Sequence, residues 1–107
     1  MAISSVLTTA TSGLRAASLR AESAAGNIAN INTKGYQATR VSQSTLVNAD
    51  PVDPATAVFA QLQGSDNPPD LTNEIVRLIE AEATYRTNAE VIRTAEDVAK
   101  QTVNLRA

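Results

Sequence analysis

The sequence contains no cysteine and no histidine. Their absence excludes disulfides, thiol nucleophiles, thiolate or imidazole metal ligands and the usual near-neutral general base. The acidic residues Glu80, Glu82, Glu90 and Glu96 lie along a helical pattern without such companions, and no glycine-rich phosphate loop or nucleophile motif occurs. We therefore expect no catalytic site, no metal site and no cofactor.

Aromatic residues are nearly absent, since they make up 3% of the chain and include no tryptophan. A core in this chain must be built from alanine, valine, isoleucine and leucine, which suit the seams between helices better than a globular interior. A length of 107 residues supports one domain at most. These features favour a small helical protein.

Long apolar runs and an excess of positive charge are also lacking. The formal net charge is -2 and no basic block is present, so nucleic acid is not an expected partner. No apolar run is long enough to span a membrane, and nothing indicates a small-molecule substrate. No basic residue precedes Arg15, and serine and threonine interrupt the opening segment, so we expect no cleaved signal peptide.

A heptad pattern fills the amino-terminal third of the chain. Apolar or small residues recur at alternating steps of four and three, which predicts a coiled-coil helix over residues 1–31. Gly13 and Gly26 lie beside the seam and allow neighbouring backbones to approach closely. Its predicted assembly seam consists of Ile3, Leu7, Ala10, Leu14, Ala17, Ala21, Ala24, Ile28 and Ile31.

The stretch NIANINTKGY, residues 27–36, predicts the end of this helix and a turn. Asparagine amides bond nearby backbone groups, so Asn30 or Asn32 is expected to cap the last carbonyl groups. Gly35 supplies a positive φ, and the ring of Tyr36 can dock on the helix that has just ended. The predicted turn motif consists of Asn27, Asn30, Asn32, Thr33, Gly35 and Tyr36.

The middle segment, residues 32–69, holds all four prolines and no heptads. Residues 37–47 are rich in β-formers and indicate a short strand or hairpin arm. Pro51 and Pro54 break any helix, and we expect residues 55–62 to form two short helical turns that anchor Phe59. An irregular or hairpin-like middle therefore joins the two ends.

A second heptad helix is predicted over residues 70–107, because Asp70 follows two prolines as an N-cap and Glu74 complements the helix dipole. Its second stripe, Val91, Ala95, Val98 and Leu105, indicates more than one helical neighbour. The fold predicted is thus mainly α, with two long terminal helices paired as an antiparallel coiled coil. The predicted carboxy-terminal assembly seam consists of Leu71, Ile75, Leu78, Tyr85, Ala89, Ile92, Ala99 and Val103.

Two glutamates, Glu82 and Glu96, interrupt this second seam. They are either exposed charges at the edge of a wide stripe or register-fixing charges that meet Arg15 or Arg20 of the same or a neighbouring subunit. Both interpretations fit the sequence.

Two segments in the same order resemble the bacterial flagellar rod and hook proteins. Residues 12–40 are similar to their amino-terminal signature, and residues 73–107 are similar to their carboxy-terminal helix. The matching positions are Ser12, Gly13, Leu14, Asn27, Ile28, Ala29, Asn30, Asn32, Thr33, Gly35 and Tyr36, then Leu78, Ile79, Glu80, Ala81, Tyr85, Asn88, Ala89, Val91, Ile92, Thr94 and Ala95.

The resemblance implies a structural subunit that polymerises with itself and other rod subunits through its terminal helices and transmits torque. It also implies export through the flagellar type III apparatus without cleavage, and a place in the basal body. The short middle makes the chain most like a proximal-rod protein, an adaptor at the rod base or a specialised paralogue. The alternative is a cytoplasmic coiled-coil chaperone or regulator that mimics the helices of axial subunits.

Overall fold

The computed structural model describes residues 3–48 and 55–106, and the side chains of residues 5–45 and 57–105. The chain forms helix α1 (Ile3–Ala29), strands β1 (Thr39–Asn48) and β2 (Ala55–Gly64), and helix α2 (Leu71–Arg106). The predicted fold class, mainly α with a hairpin-like middle, is confirmed. The expectation for Pro51 and Pro54 lies outside the described residues.

The two helices pair antiparallel. Asn27 near the end of α1 bonds Glu74 near the start of α2, and Gly13 in the middle of α1 lies against Asn88. Asp70 caps α2 as predicted, because its Oδ1 accepts from the backbone N–H of Thr72 at 3.0 Å. The backbones thus run side by side along most of α1.

Gly13 permits the closest approach between the helices. A Cβ built at Gly13 would lie 2.7 Å from Nδ2 of Asn88, whose amide donates to the carbonyl of Thr84 at 3.1 Å. A Cβ at Gly26 would meet nothing within 4 Å. The two helical glycines therefore differ in kind: Gly13 makes room for α2, while Gly26 only weakens α1.

Matched alanine substitutions test this difference. We expect Gly13→Ala to lower the free energy of unfolding by no more than about 1 kcal/mol, because the end of the Asn88 side chain has to move aside and the preference of alanine for the helix offsets part of that cost. Gly26→Ala should raise it by about 0.5–1 kcal/mol, because alanine removes backbone freedom from the unfolded chain. Thermal unfolding followed by circular dichroism measures both, and a loss of stability in the Gly26 variant would contradict the assignment.

The middle segment is a regular antiparallel hairpin, with Thr39 opposite Gly64 and Thr45 opposite Val58. The expectation of helical turns over residues 55–62 is therefore wrong. These residues alternate sides and find a complete ladder of partners in β1, which outweighs their ambiguous local preference. Phe59 is not anchored either, since it is 51% exposed.

The hairpin packs along α1, which lies between the hairpin and α2. The Val58 N–H donates to Oγ of Ser12 at 2.9 Å, and Ser12 in turn donates to the carbonyl of Thr9 at 2.8 Å. The Cα framework measures 63 × 26 × 13 Å, so the molecule is a thin slab with two broad faces.

The core contains only small apolar side chains. Within the described residues, every buried hydrophobic residue is an alanine: Ala10, Ala16, Ala17, Ala24, Ala38, Ala81 and Ala95. Eleven large apolar residues are exposed instead: Phe59, Leu62, Leu71, Ile75, Val76, Ile79, Tyr85, Val91, Val98, Val103 and Leu105. None of the described helices is long and apolar enough to cross a membrane.

Candidate functional site

Asn27 is the centre of a buried hydrogen-bond network, the polar latch, which consists of Ser23, Asn27, Thr39, Arg40 and Glu74. The Asn27 side chain donates through Nδ2 to the carbonyl of Thr39 and to Oε2 of Glu74, both at 2.9 Å. Its Oδ1 accepts from the backbone N–H of Thr39 at 2.9 Å. This pattern of donors and acceptors fixes the amide orientation, and Asn27 thereby joins α1 to β1 and α2.

Glu74 is the other fully buried member of the latch, with 0% of its surface exposed. Its Oε1 accepts from Nη1 of Arg40 at 2.7 Å and from Nη1 of Arg77 at 2.8 Å. A buried carboxylate is stable only when paired and fully hydrogen-bonded, and Glu74 has two cations and one amide donor. Glu74 therefore does more than complement a helix dipole: it connects three elements.

Thr39 joins the hairpin to the latch. Its carbonyl accepts from Oγ of Ser23 at 3.0 Å, from Asn27 and from Nη1 of Arg40 at 2.9 Å. Ser23 and Asn27 are one helical turn apart on α1, so both side chains reach the first residue of β1. The latch thus fixes where the hairpin leaves the helices.

The turn after α1 follows the predicted chemistry at most positions. Asn30 caps the helix, since its Nδ2 donates to the carbonyl of Gly26 at 2.9 Å, and it accepts from Oγ1 of Thr33 at 3.2 Å. Gly35 has φ of 80°. Tyr36 docks through its hydroxyl, which donates to Oδ1 of Asn27 at 3.2 Å. Asn32 is exposed, and α1 ends at Ala29, so Ile31 lies in the turn.

The predicted seam of α1 lies largely toward its neighbours within the chain. Ala10, Ala17 and Ala24 are buried, the side chain of Ile3 lies outside the described residues, and the remaining members are partly covered. These are Leu7, Leu14, Ala21, Ile28 and Ile31. Contacts of these residues in an assembly remain a prediction.

The predicted seam of α2 is mostly exposed in the single chain. Leu78, Ile92 and Ala99 are partly covered, whereas Leu71, Ile75, Tyr85, Ala89 and Val103 are exposed. The stripe that meets α1 includes Glu74, Ala81, Asn88 and Ala95, so its main positions lie one residue earlier in the heptad. Small side chains and Gly13 select this stripe, because they permit closer packing than isoleucine or tyrosine.

The broad faces of the slab each carry one flank of α2. At about 100° per residue, Arg77, Glu80, Val91 and Val98 share one flank, called face A. The opposite flank, called face B, carries part of the predicted seam: Leu71, Ile75, Tyr85, Ala89, Glu96 and Val103. Helix α2 therefore presents exposed apolar residues on both faces.

Two apolar grooves accompany these surfaces. One, of about 440 Å³, lies between Val6 of α1 and the α2 residues Val91, Ala95 and Val98 on face A. The other, of about 710 Å³, lies between α1 and β2, with Arg15 in its wall beside Leu7, Leu19 and Phe59. Both are open to the surface and lined mainly by apolar side chains.

The four predicted register charges have different surroundings. Glu82 pairs with Arg86 one turn further along α2, and Glu96 is exposed. Among the described residues, no ion pair joins either glutamate to Arg15 or Arg20. The choice between exposed charge and register charge therefore depends on contacts beyond the single chain.

Sequence reasoning missed four members of the latch as a unit: Ser23, Thr39, Arg40 and Glu74. The available signal was a pair of polar residues, Ser23 and Asn27, one turn apart at the end of a helix otherwise lined with alanine. In the described ranges, no group of three or more acidic side chains is placed to hold a metal ion. The polar latch thus joins α1, β1 and α2, and helix α2 presents faces A and B at the surface.

Family models match both ends of the chain. The model described as "Flagella basal body rod protein" matches residues 7–37, and "Flagellar basal body rod FlgEFG protein C-terminal" matches residues 70–105. No curated protein matches the chain. The two matched segments contain the two buried ends of the polar latch, Asn27 and Glu74, so the paired segments form one structural unit. The chain belongs to the flagellar basal body rod family and has its structural role in the basal body.

Proposed function

We propose that this chain is a rod subunit that polymerises with itself and other rod subunits through the exposed faces of its helices and transmits torque. The observation that carries the proposal is that large apolar side chains, which are usually buried, are exposed in this chain. The buried hydrophobic residues among those described are all alanines, while eleven large apolar side chains are exposed.

Such exposure is costly for a molecule that works alone. Burying a large apolar side chain stabilises by about 1.5–3 kcal/mol, so covering even half of this set contributes substantially to assembly. Large exposed apolar patches typically mark interaction sites. A long helix that is exposed on both flanks, as α2 is on faces A and B, becomes better ordered when neighbouring subunits cover those flanks.

The geometry favours open polymers over closed dimers. Faces A and B carry different residues, so a contact between face A of one subunit and face B of the next is heterologous. Repetition of such a contact produces a helical filament unless its rotation closes a ring. Side-to-side packing of helices also transmits torsion, because a packed interior deforms little.

We further propose that the chain reaches the rod through the flagellar type III export apparatus without cleavage of a signal peptide. Mass spectrometry of purified basal bodies tests both parts. We expect the chain in that fraction, with a peptide covering the Met1 to Arg15 region intact apart from the initiator methionine. Recovery only from the cytoplasmic fraction would contradict the proposal and favour a chaperone or regulator of axial subunits.

A further inference from the structure

A small charged pocket, the guanidinium pocket, opens on face A beside the polar latch. It has a volume of about 180 Å³ and lies between α1, β1 and α2. Its charged residues are Arg20, Arg40, Arg77, Glu74 and Glu80. Three cations thus face two carboxylates in a space that suits one further acidic side chain.

The charges inside the pocket are unevenly matched. Glu74 is buried and already shared by Arg40 and Arg77, which both donate to its Oε1. The Nε of Arg20 is buried without a hydrogen-bond partner, and among the described residues Arg20 has no ion pair within 4 Å. Leaving a buried donor unsatisfied is unfavourable, so Arg20 favours an added acceptor.

Glu96 is the acidic side chain that we match to this pocket. It lies on face B with the exposed apolar residues Tyr85, Ala89 and Val103, and no ion pair involves it within the described ranges. If another subunit covers this apolar stripe, the Glu96 carboxylate loses water and requires a cation. Asp97, the next residue, lies on the outer edge of α2 and would stay in water.

We propose that Glu96 of one copy of this chain docks in the guanidinium pocket of the next copy and bonds Arg20. The inference rests on the proposed polymerisation and identifies one contact within it. At about 100° and 1.5 Å per residue, Glu96 lies about 160° around α2 from Glu80 and about 24 Å further along it. The contact therefore joins opposite faces of staggered subunits, and it fixes their axial register.

Charge reversal tests the contact because the assembly is heterologous. The purified full-length chain is concentrated at physiological salt, and the critical concentration for assembly is measured by sedimentation and light scattering. We expect Arg20→Glu or Glu96→Arg alone to raise it at least about tenfold, as for other close interfacial charge pairs. An equimolar mixture of the two variants should assemble like the unmodified chain, since each contact then joins opposite charges.

Asp97→Arg is the matched control and should leave the critical concentration within about twofold of the original, as expected for an exposed charge. Circular dichroism checks that each variant is folded. If Arg20→Glu does not fold, Arg20→Gln replaces it and should weaken assembly. Its equimolar mixture with Glu96→Arg should assemble better than either variant alone but less well than the unmodified chain, because only every second contact is then an Arg20–Glu96 pair.

The outcomes separate the inference from the function on which it rests. Assembly of the unmodified chain with no effect of either reversal, or a mixture that assembles no better than its components, overturns the docking contact alone. Failure of the unmodified chain to assemble at any concentration reached overturns both the contact and self-polymerisation.

Discussion

Replacing Asn27 by leucine is expected to lower the free energy of unfolding by about 3–5 kcal/mol. Leucine has a similar volume but no polar atoms. It leaves the Thr39 N–H without its acceptor and removes the amide donor from Oε2 of the buried Glu74. Since small domains are stable by only about 5–15 kcal/mol, this loss removes a large fraction of the stability of the chain. Urea unfolding followed by circular dichroism measures the change.

Asn32→Leu is the matched control, because Asn32 belongs to the same turn motif and is exposed. It should change the free energy of unfolding by no more than about 0.5 kcal/mol. Equal effects of the two substitutions would show that the motif acts through local turn preference alone. A loss below about 1 kcal/mol for Asn27→Leu would remove the latch from its central place in the fold.

A charge on either broad face is expected to stop assembly while leaving the subunit folded. Ile75→Asp alters face B and Val98→Asp alters face A, where the native side chains are 43% and 47% exposed. Burying a carboxylate in an apolar contact costs several kcal/mol, which corresponds to at least about a hundredfold rise in the critical concentration. Analytical ultracentrifugation of each variant, beside circular dichroism for helix content, provides the measurement.

Gln101→Glu adds the same charge to the outer edge of α2 and is expected to assemble nearly as the unmodified chain does. If Ile75→Asp and Val98→Asp also assemble normally, the two faces are not the contact surfaces of the polymer. If they lose helix content as isolated chains, the exposed residues contribute to the subunit fold itself. Either result would contradict the proposed use of both faces.

The sequence predicted the two helices well because their signals are local. Heptad spacing, Asp70 as an N-cap and the positive φ of Gly35 each depend on a few consecutive residues. Residues 55–62 were mispredicted because their local preference is weak. Pairing with β1 decides their conformation, and that pairing is a property of the folded chain.

The surfaces were harder to predict than the elements. Heptads identify apolar stripes on α2, but they do not say which stripe meets α1 in the same chain. That choice follows from the close approach at Gly13 and from the buried hydrogen bond between Asn27 and Glu74. Contacts between residues far apart in the chain cannot be read from the spacing of one sequence. The sequence therefore identified Asn27 only as part of a helix end and Glu74 only as a charge near the start of α2.

The latch also dictates the order in which the molecule can fold. Asn27 and Glu74 are separated by 47 positions, so closing their contact requires a long loop and carries the entropic cost of that closure. A chain that emerges amino-terminus first, from a ribosome or a narrow channel, cannot complete its interior until Glu74 is also free. The native structure is therefore completed only once a residue in the final third of the sequence is available. Until then the segments that emerge earlier lack their buried partner and remain incompletely packed.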